Sequence, residues 1–208
     1  MKLLELFAGT QSVGKVAREL GFEVTSLDRD MPAEIQTDIM DWDYQALPPK
    51  SFDVIWASPP CTEYSRAKTV GVRDLETANQ IVQRTLDILE YFEPKYWMLE
   101  NPQTGLLKEQ WMVFGLPFQD IDYCKYGMPY RKRTRIWNNI CTWVPKPLCN
   151  KDCGSMDETN KRHVATAQRG PTKGQPNNRH RQDELYRVPS ELIRDILTSI
   201  PSYEDFLK

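Results

Sequence analysis

The stretch that most restricts what this chain can become is Phe52–Ser65, Phe-Asp-Val-Ile-Trp-Ala-Ser-Pro-Pro-Cys-Thr-Glu-Tyr-Ser. Residues 52–57 are an apolar run of strand length, rich in β-formers. The run stops dead at Ser58-Pro59-Pro60. Two successive prolines fix φ twice and withhold two backbone donors, so neither a strand nor a helix can continue through them. Cys61 is therefore presented just past the end of a buried strand on a stiff corner. In open α/β sheets, ligands bind at that carboxyl edge. A cysteine there is either a nucleophile or a small buried apolar residue, and the stretch alone leaves both open.

The rest of the chain supplies the sheet that such a corner needs. Residues 2–7 are a first apolar strand ending in Phe7-Ala8-Gly9-Thr10. Glu5 interrupts the run and Gly9 opens a turn, so it reads as a strand rather than a signal peptide. Ser12 is placed to cap a helix through about Leu20, with Val13, Val16, Ala17 and Leu20 at helical spacing. Gly21 closes it. Phe22–Leu27 is a second strand, delivering Asp28 at its tip. Ile35–Ile39 is a short third strand carrying Asp38, and residues 52–57 are the fourth. A helix follows over 76–93, ended by Pro94. Tyr96–Leu99 is a fifth strand that delivers Glu100 to the same sheet edge as Cys61. Strands are expected again at 118–123 and 131–137, and a last helix from Pro189 to about Ile200.

The alternation predicts an α/β fold with a mostly parallel sheet covered by helices on both faces. Three regions follow: 1–140 as the main domain, 141–187 as a small polar, basic insertion, and 188–208 as a C-terminal helix packed on the main domain.

The first strand–turn–helix–strand unit, with an acid at the end of its second strand, suits an adenosine moiety. Only Gly9 and Gly14 stand where a G-x-G-x-x-G fingerprint would need three glycines. That argues against a dinucleotide and fits a ligand without phosphate.

Charge adds a partner class. The chain carries a net charge of −2, yet residues 123–188 hold 14 Lys/Arg against 5 Asp/Glu. A basic segment on an acidic body is the footprint of a polyanion-binding face. No apolar run approaches the roughly 18–20 residues a membrane span needs. Five cysteines, an odd number, predict reduced thiols inside a cell: cytoplasm for a bacterial or phage protein, nucleus for a eukaryotic host.

Taken together, four stretches resemble the cytosine C5-methyltransferases. They are Leu4-Glu5-Leu6-Phe7-Ala8-Gly9, Ser58-Pro59-Pro60-Cys61 with Ser65, Leu99-Glu100-Asn101, and Arg133-Thr134-Arg135. They stand in family order and span residues 3–137. The resemblance implies a Rossmann-like, S-adenosylmethionine-dependent fold that methylates C5 of cytosine in double-stranded DNA, with the target base flipped out. It assigns catalysis to Cys61 as nucleophile, Glu100 as the acid facing the ring nitrogen, and Arg133 and Arg135 as basic partners. It assigns the cofactor to Phe7, Ala8, Gly9, Thr10, Asp28, Asp38 and Pro60. Three features depart from the family pattern: Arg131 stands where the basic motif opens with Gln, no Gly-Asn pair occurs, and only about 45 residues remain for target recognition.

Rival readings are an RNA C5-methyltransferase, an amino-methyltransferase, and a nucleic-acid-binding module with an idle cofactor fold. The second wants an aromatic residue where Cys61 stands. A monomer is expected.

Within the insertion, Cys141, Cys149, Cys153 and His163 suit a tetrahedral zinc that would staple a segment lacking an aliphatic core. Cys124 is the competing ligand. Lys161, Arg162, Arg169, Lys173, Arg179 and Arg181 suit phosphate contacts, and Gln168-Arg169-Gly170 suits entry into a groove.

Overall fold

A computed structural model describes residues 1–167 and 182–201. β1 (Lys2–Leu6), β2 (Glu23–Asp28), β3 (Ile35–Gln36), β4 (Val54–Ala57), β5 (Tyr96–Pro102), β6 (Phe118–Asp122) and β7 (Arg133–Asn138) form one sheet in the order β3-β2-β1-β4-β5-β7-β6. β1, β2, β3, β4 and β5 run parallel, while β7 pairs antiparallel with both β5 and β6. The order reverses between β1 and β4, which makes the crevice beyond their carboxyl ends the expected ligand position.

The central strands are apolar on both sides because both sides are covered. Leu3, Val54 and Trp56 enter a core with Val13, Val16 and Ala17 of α1 (Ser12–Glu19) and with Leu192, Ile193, Ile196 and Leu197 of the C-terminal helix (Ser190–Ser199). Their neighbours Leu4, Leu6, Ile55 and Ala57 enter the opposite core with Ile88, Leu89 and Phe92 of α2 (Leu75–Phe92). Period-two alternation thus splits each strand between two helical layers. Among the described residues, a short α3 (Gln182–Tyr186) precedes the C-terminal helix, which is α4.

α2 has a conventional start and stop. The Asp74 side chain accepts from the Thr77 N–H at 3.0 Å, and Glu93 ends the helix at φ 46 ahead of Pro94. α1 departs from expectation. Ser12 is its first residue and does not cap it; the preceding Gln11 lies at φ 54 and makes no side-chain cap. Glu5 instead reaches across from β1 and accepts from the N–H groups of Val13 at 3.2 Å and Gly14 at 2.9 Å. An acid in the middle of a buried strand thereby satisfies the open end of the helix. Gly14 is needed for this approach, since a Cβ there would lie 2.6 Å from Glu5 Oε2.

β5 is longer than the apolar run suggests. Antiparallel pairing with β7 carries the strand through Glu100, Asn101 and Pro102. The third strand is shorter, ending at Gln36, so Asp38 sits on the following turn.

Between 144 and 167 no helix or strand forms, only an isolated bridge between Met156 and His163. Cys141 is exposed, whereas Cys124 lies beside Cys149, Cys153 and His163. The cluster expected from sequence therefore differs by one member, with Cys124 in the place given to Cys141. The reason is topological, because β6 runs into the turn 123–126 and delivers Cys124 under the segment that carries the other three.

Candidate active site

One cavity of about 640 Å³ opens beyond the carboxyl ends of β1, β2, β4 and β5. Its size is that of a small-molecule site. Each of Phe7, Ala8, Gly9, Thr10, Asp28, Asp38, Pro60, Cys61 and Glu100 lines it. Glu5 and Lys132 line it as well, and from the C-terminal part so do Tyr186 and Val188.

The turn after β1 is wound tightly enough to bring backbone against a ligand. Phe7, Gly9 and Gln11 alternate in the left-handed region at φ 60, 50 and 54. Strain at non-glycine residues of this kind gathers at functional sites. Asp28 holds the turn by accepting from the Gly9 N–H at 2.7 Å, and it accepts also from the N–H groups of Asp30 and Met31. Asp38 accepts from the Met40 N–H and faces Arg29 at 3.3 Å. Leu27, Ile39 and Ile81 supply apolar wall.

At the base lies Glu5, 2% exposed. Burial pushes its carboxyl up to about 7, against the lowering effect of the Gly14 and Val13 N–H bonds and of Arg18. A buried acid left short of positive charge favours a cationic ligand. S-adenosylmethionine bears two positive groups, a sulfonium and an ammonium, and a flat adenine suited to the apolar wall, so these residues fit it.

The reacting corner is braced from several sides. The Trp56 indole N–H donates to Ser58 Oγ at 3.1 Å. The Asn101 amide donates to the Pro59 carbonyl at 3.0 Å, tying the proline corner to β5 one residue beyond Glu100. Past Cys61, the fully buried Tyr64 donates through its hydroxyl to Asn79 on α2.

Cys61 is partly buried. Burial pushes its thiol up, Lys132 pulls it down, and Glu100 adds to the rise. The buried Glu100 accepts from the Tyr123 hydroxyl at 2.9 Å, and Lys132 Nζ stands 3.9 Å from Glu100 Oε1. The same ammonium lies 4.9 Å from the centre of the Tyr123 ring. Thiol, carboxyl and ammonium thus meet at the mouth of one cavity. This set can present a sulfur nucleophile to a ring, with a carboxyl opposite and a cation balancing the charge that addition creates.

Arg133 and Arg135 are not brought there. Glu100 pairs with Ile136, so its side of the sheet is shared by Thr134 and Ile136, and the two arginines project from the other side. Arg133 donates through Nε and Nη2 to Asp122 at 3.0 and 2.8 Å, and Arg135 likewise to Asp120 at 2.7 and 2.9 Å. Neither lines the cavity. Among the described residues, the cation beside Glu100 is Lys132, from the residue between Arg131 and Arg133, which sequence reasoning passed over.

Glu5, Tyr123 and Asn101 were missed too. Glu5 carried one signal, as an isolated acid inside a buried apolar run. Residues 168–181, which hold Arg169, Lys173, Arg179 and Arg181 and the Gln168-Arg169-Gly170 stretch, lie outside the described residues. Among the described residues, no helix is long and apolar enough to cross a membrane.

Comparison with known proteins places this geometry. A family model described as C-5 cytosine-specific DNA methylase matches residues 1–126. The chain is 34% identical over 95% of its length to a probable DNA (cytosine-5)-methyltransferase of Frog virus 3 (isolate Goorha), and it covers 99% of that protein. It is 25% identical over 64% of its length to the type II methyltransferase M.AgeI of Thalassovita gelatinovora, of which it covers 38%. A crystal structure of a putative DNA modification methyltransferase encoded within prophage Cp of E. coli shares the fold over 72% of the chain, with a TM-score of 0.52 at 16% identity. The chain spans about half, 52%, of that solved chain.

Proposed function

Since the chain belongs to the C-5 cytosine-specific DNA methylase family, we propose that it methylates C5 of cytosine in DNA through a transient bond between Cys61 and C6 of an extruded base. The observation that carries this is the convergence of Cys61, Glu100 and Lys132 on the cavity lined by Phe7–Thr10.

Cytosine C5 is a poor nucleophile until the ring is activated. The Cys61 thiolate forms a bond to C6 and pushes an electron pair toward C5. Glu100 hydrogen-bonds or protonates N3, so that no full charge builds on the ring. Lys132 balances the Cys61 thiolate before addition and the Glu100 carboxylate once its proton has gone to N3. Tyr123 and Asn101 are positioning residues, one holding the Glu100 carboxyl and the other the proline corner. Glu5, Phe7–Thr10, Asp28, Asp38 and Pro60 would hold S-adenosylmethionine, which would supply the electrophilic methyl group to C5. Loss of the C5 proton to a base, such as water, then lets the Cys61–C6 bond break and returns the sulfur as the thiolate. A stacked base cannot receive a thiol at C6, so the cytosine must leave the duplex.

In this reading residues 1–140 do the chemistry and 141–187 serve as a reduced recognition region. Exposed Arg131, Lys151, Lys161, Arg162 and Arg187 would face phosphate. The residues just before α4 border the cofactor side, where Tyr186 and Val188 line the cavity and the Val188 N–H donates to Ser12 Oγ; α4 itself is tied to α1 by Arg194 and Glu19 at 2.6 Å. The protein acts as a monomer.

Duplex DNA containing 5-fluorocytosine tests the reading. Fluorine at C5 blocks elimination, so the wild-type chain with S-adenosylmethionine accumulates an adduct at Cys61 and Cys61→Ser does not. An adduct on any other residue, or one that survives Cys61→Ser, rejects the assignment. Calorimetry with S-adenosylmethionine separates this from an idle fold, which gives no binding heat. RNA with the same base sequence should be a far poorer substrate.

A further inference from the structure

We infer that Cys124, Cys149, Cys153 and His163 hold one zinc ion, and that this ion fastens the recognition segment to the strand end supporting Glu100. The four ligand atoms lie within 4.8 Å of one another. His163 Nε2 is 3.3 Å from Cys153 Sγ and 3.6 Å from Cys149 Sγ. Zinc–sulfur bonds of about 2.3 Å and zinc–nitrogen bonds of about 2.0 Å at tetrahedral angles separate ligands by roughly 3.5–3.8 Å. The side chains therefore already stand nearly at coordination distance. All three cysteines are free thiols. Three sulfurs and an imidazole make a closed set of soft donors, which suits structural zinc and leaves no open position for catalysis.

The four ligands come from three pieces of chain, joined otherwise by scattered polar contacts. Cys124 sits on the turn 123–126 that follows β6. The Cys149 N–H donates to Asp122 at 3.0 Å. Cys153 follows after three residues. His163 lies on the bridge with Met156, where the Val164 N–H donates to the Ser155 carbonyl and the Asp157 N–H to the Arg162 carbonyl. Around the cluster, Lys125 pairs with Asp152 at 2.9 Å and Ser155 donates to the Met128 carbonyl at 2.9 Å. Val144 and Val164 are exposed, and beyond Trp143, Cys149 and Ala165 few apolar side chains of the segment are buried. Such a segment needs a cross-link, and the reduced thiols converge where one would serve.

The test starts from the full chain purified without added metal. Elemental analysis should find about one zinc per chain. Cys124→Ser should lower the zinc content at least tenfold, and Cys141→Ser should leave it unchanged. X-ray absorption at the zinc edge needs no variant and covers the case in which Cys124→Ser does not fold. It should report three sulfurs and one nitrogen. Metal-free protein that still binds S-adenosylmethionine would overturn the inference. So would a shell dominated by oxygen and nitrogen, or zinc lost on Cys141→Ser but kept on Cys124→Ser.

Discussion

Replacing Arg133 with methionine separates a supporting ion pair from a substrate contact. The Asp122 side chain is 0% exposed and that of Arg133 is 32% exposed. Asp122 accepts both guanidinium bonds from Arg133 and a third from the Cys149 N–H. Arg133→Met leaves a buried carboxylate with a single neutral donor. Breaking a buried pair from one side costs about 3–5 kcal/mol. Water reaches part of this guanidinium, which favours the lower end, about 3 kcal/mol. For a domain of roughly 200 residues that corresponds to a fall in Tm of about 6–12 °C. Urea and thermal unfolding read the loss directly. Methyl transfer, measured where every variant is folded, should fall only modestly. Adding Asp122→Asn removes the stranded charge, keeps an acceptor for Cys149, and should recover much of the lost stability. An Arg133→Met protein with an unchanged unfolding midpoint and abolished turnover, not rescued by Asp122→Asn, would refute this reasoning and return Arg133 to the substrate.

Two further outcomes address the site. Tyr123→Phe removes only the hydroxyl that donates to Glu100. Hydrogen bonds to charged groups contribute about 1.5–3 kcal/mol, so kcat should fall about 10–100-fold. The Kd for S-adenosylmethionine should stay the same in calorimetry, and a weakened Kd with unchanged kcat would contradict the positioning role. Lys132→Met removes the charge that pulls the Cys61 thiol down, leaving burial and Glu100 to push it up. The pH midpoint for alkylation of Cys61 by iodoacetamide, followed by peptide mass, should therefore rise, and reaction at neutral pH should slow. An unmoved or lowered midpoint would show that Lys132 does not act on the thiol.

What the sequence disclosed, and what it hid, follows from how far each residue's neighbours lie along the chain. The proline corner is local, so Cys61 and its place past a strand were legible from residues 52–61 alone. Glu100 followed from a strand ended by polar residues, and the strand–helix alternation predicted the sheet. Arg133 and Arg135 do share a face of β7, as alternation requires. Which face meets Glu100 depends on the antiparallel pairing of Glu100 with Ile136, and no local pattern carries that phase. The cation at the site consequently turned out to be Lys132. Cys124 was set behind Cys141 because its flanking Tyr123 and Tyr126 read as those of a packed strand residue. The return of β6 beneath the insertion reverses that order in space. Glu5 looked like an interruption in a strand, since its partners are backbone groups of a helix that begins after the turn.

Three consecutive residues at the end of β6 tie the two halves of the site together. Asp122 takes the Arg133 guanidinium and the Cys149 N–H; Tyr123 donates to Glu100; Cys124 joins the thiol–imidazole cluster. All three are buried, and a backbone this short cannot shift one of them without shifting the others. Asp122, Tyr123 and Cys124 therefore link the segment 149–163 to the hydroxyl that donates to Glu100 within two peptide bonds. The Asp122–Arg133 pair and the cluster at Cys124 hold that end of β6 from either side.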